Sequence, residues 1–161
     1  LRPATMHGHL VLYRAVLHND RNTIPQWLQE CVATWVSILN HCQYSLANHW
    51  ANARHLLGDD TRAHAIKAAL HAHRPGDAFG EREKMLFDYA EKLTLAPGQM
   101  QQSDIDVMQA AGFDDGEILE VNQIVCYFNY VNRSLNGLGV TLENDTIGYY
   151  SNDQPDDREQ A

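Results

Sequence analysis

The sequence predicts an all-α chain forming one domain. Apolar residues recur at three- and four-residue spacing along nearly its whole length. No stretch alternates in twos between turn residues, as a half-buried strand would. Pro, Gly, Asn and Asp cluster at intervals that suit helix ends. At 161 residues and 44% hydrophobic, the chain can build one sizeable core.

The first helix is expected after Pro3, with Leu10, Leu12, Tyr13, Val16 and Leu17 on its inner face, and it breaks at Asn19-Asp20-Arg21-Asn22. Thr23 is the expected cap of the second, with Pro25 in its first turn, where a missing N–H costs little. That helix carries Trp27, Leu28, Cys31, Val32, Trp35, Val36 and Leu39 and ends near Asn40-His41. A third starts around Cys42 and closes at Gly58. A fourth opens at Asp59-Asp60-Thr61, carries Ile66, Ala69 and Leu70, and stops before Pro75-Gly76. Phe79 to Leu95 reads as a fifth, with Met85, Leu86, Tyr89, Ala90 and Leu93 inward, and Pro97-Gly98 ends it. Ser103-Asp104 is expected to cap a short sixth that closes at Gly112. Asp114 or Asp115 caps the last, through Ile118, Leu119, Ile124, Val125, Phe128 and Val131 to Gly137-Leu138-Gly139. Residues 1–145 form the expected domain. Residues 146–161 form a polar tail, either a loose end or a strap across a neighbour.

Charge narrows the function. Twelve Lys and Arg against 21 Asp and Glu give a net −9, which argues against a general nucleic-acid binder and against adhesion to an anionic membrane. No apolar run approaches the roughly 18 residues of a membrane span. Three cysteines are too few for a disulfide scaffold, so a reducing compartment, the cytoplasm, is the expected location.

One segment concentrates reactive side chains: Glu30, then Cys42-Gln43-Tyr44-Ser45-Leu46-Ala47-Asn48-His49. Cys42 falls where a loop becomes a helix, and the N–H groups and positive dipole end favour a thiolate there. Ser45 is three residues on and His49 four more, on the same helix face. A tight antiparallel hairpin would swing Glu30 toward that face. Thiol, hydroxyl, imidazole and carboxylate are the parts of a proton relay that activates a nucleophile. The plainer reading makes Cys42 a small packed residue and His49 a satisfied core group.

Glu, then Cys-x-x-Cys, then three residues and His is the signature of the AhpD-like alkylhydroperoxidases of the carboxymuconolactone decarboxylase superfamily. Here it stands as Glu30, Cys42, Ser45 and His49. Val11 to Val16 resembles the family's first helix. Met85 to Met100 and Ala110 to Val140 resemble the subgroup of uncharacterised peroxidase-related enzymes. The resemblance spans roughly Arg2 to Asp145. It implies an AhpD-like helical bundle, a homo-oligomer, and a small-molecule peroxide and a thiol reductant as partners. Family peroxidases use two cysteines that close to a disulfide, and the one nearer the His is generally treated as peroxidatic.

Ser45 departs from that pattern, because a hydroxyl cannot form a disulfide. Three readings follow. Cys42 acts as a single thiol, with His49 as acid/base, Glu30 orienting it and Ser45 hydrogen-bonding the thiolate in place of the second Cys. Alternatively the scaffold serves a small-molecule lyase or decarboxylase, or Glu30, Ser45 and His49 form a hydrolase-like triad. In the third reading the chain is non-catalytic.

No Gly-rich phosphate loop or basic cluster indicates an organic cofactor. Metal ligation is not expected either, since Glu30, Cys42 and His49 lack a further ligand at suitable spacing. Cys31 and Cys126 lie in apolar runs and read as packing residues; Trp27, Trp35 and Trp50 read as core or interface. The group Tyr127, Phe128, Asn129, Tyr130, Asn132 and Arg133 reads as packing, or with Tyr127 or Asn129 lining a pocket near Cys42. Tyr44, where some family members carry a second His, is a poor neutral-pH base but a competent hydrogen-bond donor.

Overall fold

The computed structural model describes residues 2–150. They form α1 (Pro3–Leu17), α2 (Gln26–Leu39), α3 (Gln43–Leu57), α4 (Asp60–His71), α5 (Glu81–Leu95), α6 (Gln102–Ala110) and α7 (Asp115–Leu138). Two 3-10 turns, Pro75–Asp77 and Pro97–Gln99, flank α5. No strand occurs among the described residues. Most of the expected tail, from residue 151 on, lies outside them.

Helix α2 is the axis of the fold. It is buried on all sides from Leu28 to Leu39, because α3, α5 and α7 pack around it and α4 touches it. A helix covered on every side must also bury its polar positions, and each then needs a partner. Gln29 donates to the Ile24 carbonyl at 2.7 Å, and Thr34 and Ser37 donate back to Glu30 and Ala33 carbonyls at 2.8 and 2.7 Å. Trp35, Phe87, Phe128, Ile66 and Ile124 close the core around it.

Three expectations are corrected. First, only Val16 and Leu17 of the α1 face are buried; Tyr13 is half-buried, and Leu10 and Leu12 are exposed. Helix α1 packs chiefly on α7, so only its last turns reach the core. Second, Thr23 does not cap α2. Its N–H and that of Ile24 donate to the Glu120 carboxylate of α7, both at 2.9 Å, and the Thr23 hydroxyl donates there too. The helix starts one residue after Pro25, whose carbonyl accepts the Leu28 and Gln29 N–H groups. Third, α6 is capped by Gln101 rather than Ser103, and Asp104 returns a bond to the Gln101 N–H at 2.8 Å. Asp114 caps α7 in the same reciprocal way with Glu117, as the sequence suggests.

The described part of the tail lies along α3. Tyr44 donates to Asp145, Asn48 Oδ1 accepts the Gly148 N–H at 2.9 Å, and Asn52 Oδ1 accepts the Tyr149 N–H at 2.6 Å. Tyr150 stacks on His55. Positions 44, 48, 52 and 55 make one stripe on the helix, so residues 145–150 form a strap along that stripe. Among the described residues no helix is long and apolar enough to cross a membrane.

Candidate functional site

The turn between α2 and α3 sets the site. Helix α2 ends in a Schellman motif: the His41 N–H donates to the Ile38 carbonyl at 3.0 Å and the Cys42 N–H to the Ser37 carbonyl at 2.9 Å. His41 takes the left-handed conformation that this motif requires, with φ 53°. It is exposed and serves the turn. Cys42 is thereby both the residue that closes α2 and the N-cap of α3. Helix α7 pins the turn from outside, since Asn136 donates to the Asn40 carbonyl and Asn40 donates to Asn129 Oδ1, both at 3.0 Å. Asn129, a candidate pocket residue in the sequence, also donates to Thr94 and is used in holding this turn.

So short a connection makes α2 and α3 an antiparallel pair and brings Glu30 to His49. Glu30 Oε2 lies 2.6 Å from His49 Nδ1. Glu30 is fully buried, while the His49 side chain keeps 13% of its surface exposed, so the pair has a protected end and an open end. The second carboxylate oxygen, Oε1, accepts from Asn52 Nδ2 at 3.3 Å. Phe128 packs on the imidazole in a T-shaped arrangement, ring centres 4.4 Å apart. With Glu30 as carboxylate, Nδ1 carries the proton and Nε2 is the basic nitrogen.

Cys42 stands apart from this pair. Seven residues at about 1.5 Å each separate it from His49 by roughly 10 Å along the helix axis. Among the described residues, no hydrogen bond joins its sulfur to His49 or Glu30. Cys42 is buried, and burial pushes its thiol pKa up; the N–H groups of Ser45 and Tyr44 pull it down, but burial wins. The dipole end of α3 thus acts against the larger cost of covering the sulfur.

Ser45 lies between the two and faces elsewhere. Its hydroxyl oxygen is 2.8 Å from that of Ser37 on α2. The Ser37 oxygen also lies 2.7 Å from the Ala33 carbonyl, so the two hydroxyls and that carbonyl form one buried hydrogen-bonded chain. Asn132 of α7 borders the same buried group. It is the backbone N–H of Ser45, rather than its hydroxyl, that addresses the Cys42 sulfur.

The other cysteines separate. Cys31 is fully buried, its pKa driven up by burial and by the adjacent Glu30 charge, which suits a packing role. Cys126 is exposed on α7, against the expectation of packing, because its position faces away from α2. Tyr44, expected as a donor, donates to Asp145. Tyr127 is buried beside Tyr13 and Phe128. Among the described residues no three or more His, Cys, Asp or Glu side chains gather as a metal site would need.

Two residues of this site escape the sequence reading. Asn52 follows Ser45 and His49 at i, i+4, i+7 spacing, a signal the sequence carries. Tyr13 feels the Glu30 charge through space; burial and that charge both raise its phenol pKa. Nothing in the α1 sequence points to this.

No family model matches the chain, and no curated protein matches it. Solved structures do. An uncharacterized peroxidase-related protein from Silicibacter sp. TM1040 superposes with a TM-score of 0.74 at 24% identity, over 84% of this chain and 69% of its own. The alkylhydroperoxidase AhpD core of an uncharacterized peroxidase-related protein from Ralstonia eutropha JMP134 gives 0.76 at 20% identity, over 84% and 69%. A protein of unknown function from Agrobacterium tumefaciens, described as a candidate antioxidant defence protein AhpD, gives 0.69 at 18%, over 86% and 90%. With a helical bundle shared across most of its length, the chain is an AhpD-like helical protein by fold.

Proposed function

We propose that this chain is a peroxide-reducing oxidoreductase of the AhpD type that works through one thiol, Cys42. The observation that carries the reading is the 2.6 Å bond between buried Glu30 and His49 on the helix that Cys42 caps. In the proposed step the Cys42 sulfur attacks the terminal oxygen of an organic hydroperoxide. The O–O bond breaks, sulfur is oxidised to sulfenic acid, and the departing alkoxide takes a proton to leave as an alcohol. Two equivalents of an external thiol then return the sulfenic acid to the thiol, releasing water and a disulfide. His49 shuttles protons through Nε2, Glu30 holds its ring, and the Ser45 and Tyr44 N–H groups stabilise the thiolate. Homo-oligomerisation belongs to the same proposal, supported by exposed Met6, Leu10, Val11 and Leu12 on α1.

The test exposes the full chain carrying Cys126→Ser to stoichiometric organic hydroperoxide with a sulfenic-acid trap, followed by intact mass. One adduct, lost on Cys42→Ser, is the expected result. No adduct, with Cys42 recovered as a free thiol, overturns the proposal. A second reading rests on the fact that Glu30 and His49 are paired without the thiol. Such a pair can move a proton at a carbon centre, as a lyase or decarboxylase requires. Turnover of a lactone that survives Cys42→Ser would favour it.

A further inference from the structure

Glu30 sits wholly buried with two polar partners, and the second, Asn52, connects it to the strap. An amide side chain has one accepting and one donating end. The Tyr149 backbone N–H is a donor, and it lies 2.6 Å from Asn52 Oδ1. That contact forces the Asn52 NH2 to the opposite side, where it meets Glu30 Oε1 at 3.3 Å. Reversing the amide would set NH2 against N–H at Tyr149 and oxygen against oxygen at Glu30, so the orientation is decided from both ends. Asn52 is itself buried, and water cannot substitute freely for either partner.

The strap fits where a side chain would not. Gly148 has φ +88°, and a Cβ there would stand 3.0 Å from the Ala51 Cβ and 3.3 Å from Asn52 Oδ1. Backbone can approach α3 this closely only with glycine at that position. Tyr44 with Asp145, and Asn48 with Gly148, fix the register that brings the Tyr149 N–H over Asn52.

We propose that Asn52 is a positioning residue for the Glu30–His49 pair, and that residues 145–150 set its orientation. With Oε1 occupied by Asn52, the carboxylate presents Oε2 to His49 Nδ1 in one geometry and leaves Nε2 as the working nitrogen. Displacing the strap frees the amide to turn and leaves Oε1 without a fixed donor. This inference rests on the pair being the proton relay described above.

The test reads the His49 ring directly, so it does not depend on turnover. In the full chain, the Nδ1–H proton bonded to Glu30 is expected as a downfield resonance in slow exchange, and long-range nitrogen–proton spectra assign the tautomer. Asn52→Leu should shift that resonance upfield or broaden it away while the core methyl spectrum persists. Gly148→Val leaves Asn52 in place but lifts the strap, and should move the same resonance in the same direction. A residue that merely packs would lower the melting temperature and leave the imidazole signals in place. Unchanged His49 signals in folded Asn52→Leu overturn the positioning role; unchanged signals in Gly148→Val overturn the part given to the strap. If Asn52→Leu does not fold, Asn52→Ala is read in its place, with the same two outcomes. Resonances that respond as expected in a chain whose Cys42 forms no sulfenic acid would leave this inference standing and remove the peroxide reading.

Discussion

The Ser45 hydroxyl oxygen stands 2.8 Å from that of Ser37 across the α2–α3 hairpin, in a fully buried group that Asn132 borders. At the position where the two-thiol motif has its second sulfur, this chain has a hydroxyl tied to the neighbouring helix.

Replacing Ser45 by Cys therefore restores both thiols at Cys-x-x-Cys spacing. Mild oxidant should close a 42–45 disulfide, read as loss of two titratable thiols and of two hydrogens in intact mass. The lost hydroxyl bond should cost about 1 kcal/mol in denaturant unfolding. A variant that oxidises only at Cys126 would show that the two sulfurs cannot meet.

Glu30→Gln keeps shape and removes the charge that faces His49 and Asn52. Turnover that depends on the relay should fall by about 10²- to 10⁴-fold. Stability should fall by about 1–3 kcal/mol, as a charge-assisted bond in a buried site becomes a neutral one. Steady-state kinetics and urea melts on the same preparation separate the two effects.

Thiol labelling should follow exposure and pKa. Cys126 is exposed and should alkylate first, Cys42 second and fully buried Cys31 last. Cys42 labelling should rise with pH to an inflection above the ~8.5 of a free cysteine, because burial outweighs its two N–H donors. Peptide mapping after timed labelling at several pH values checks both points. Labelling of Cys42 ahead of Cys126 at neutral pH would contradict them.

Alkaline pH should destabilise the fold. Burial raises the pKa of Cys31, Tyr13 and Tyr127, so their neutral forms are favoured in the folded chain. Their contribution is full below the unfolded thiol and phenol ranges and is lost as pH rises through the folded values. Thermal midpoints should hold steady near neutrality and drop above about pH 8.5, where unfolded cysteine begins to ionise.

His41 supplies the left-handed residue of the Schellman turn, at φ 53° and exposed. A side chain in that conformation costs about 1–2 kcal/mol. His41→Gly should thus be neutral or stabilising by up to about 1 kcal/mol, and His41→Val destabilising by about as much. Chemical unfolding of the two variants should give opposite signs.

The helices were readable in the sequence because each rests on local physics: apolar spacing, an Asp cap at α7, glycines at the ends of α3 and α6. The meeting of Glu30 with His49 is legible for the same reason, since helical spacing and one short turn bring them together, whereas Cys42 stands apart from them and Ser45 faces Ser37. The cap of α6 moves by a local choice, to Gln101, whereas at α2 a distant residue competes. Glu120 takes the Thr23 N–H and hydroxyl from nearly a hundred positions away, and no local rule anticipates that.

What the sequence alone determined is an all-helical chain with a thiol, a hydroxyl, an imidazole and a carboxylate assigned to one hairpin. What only the tertiary structure decided is how those groups divide. Glu30 and His49 form a closed pair, Ser45 turns to Ser37, Cys42 stays under cover, and the strap over residues 145–150 reaches Glu30 through Asn52. Side-chain hydrogen bonds within about 3 Å select among such partners, and their geometry depends on how α2, α3 and α7 pack, which no spacing along one helix contains.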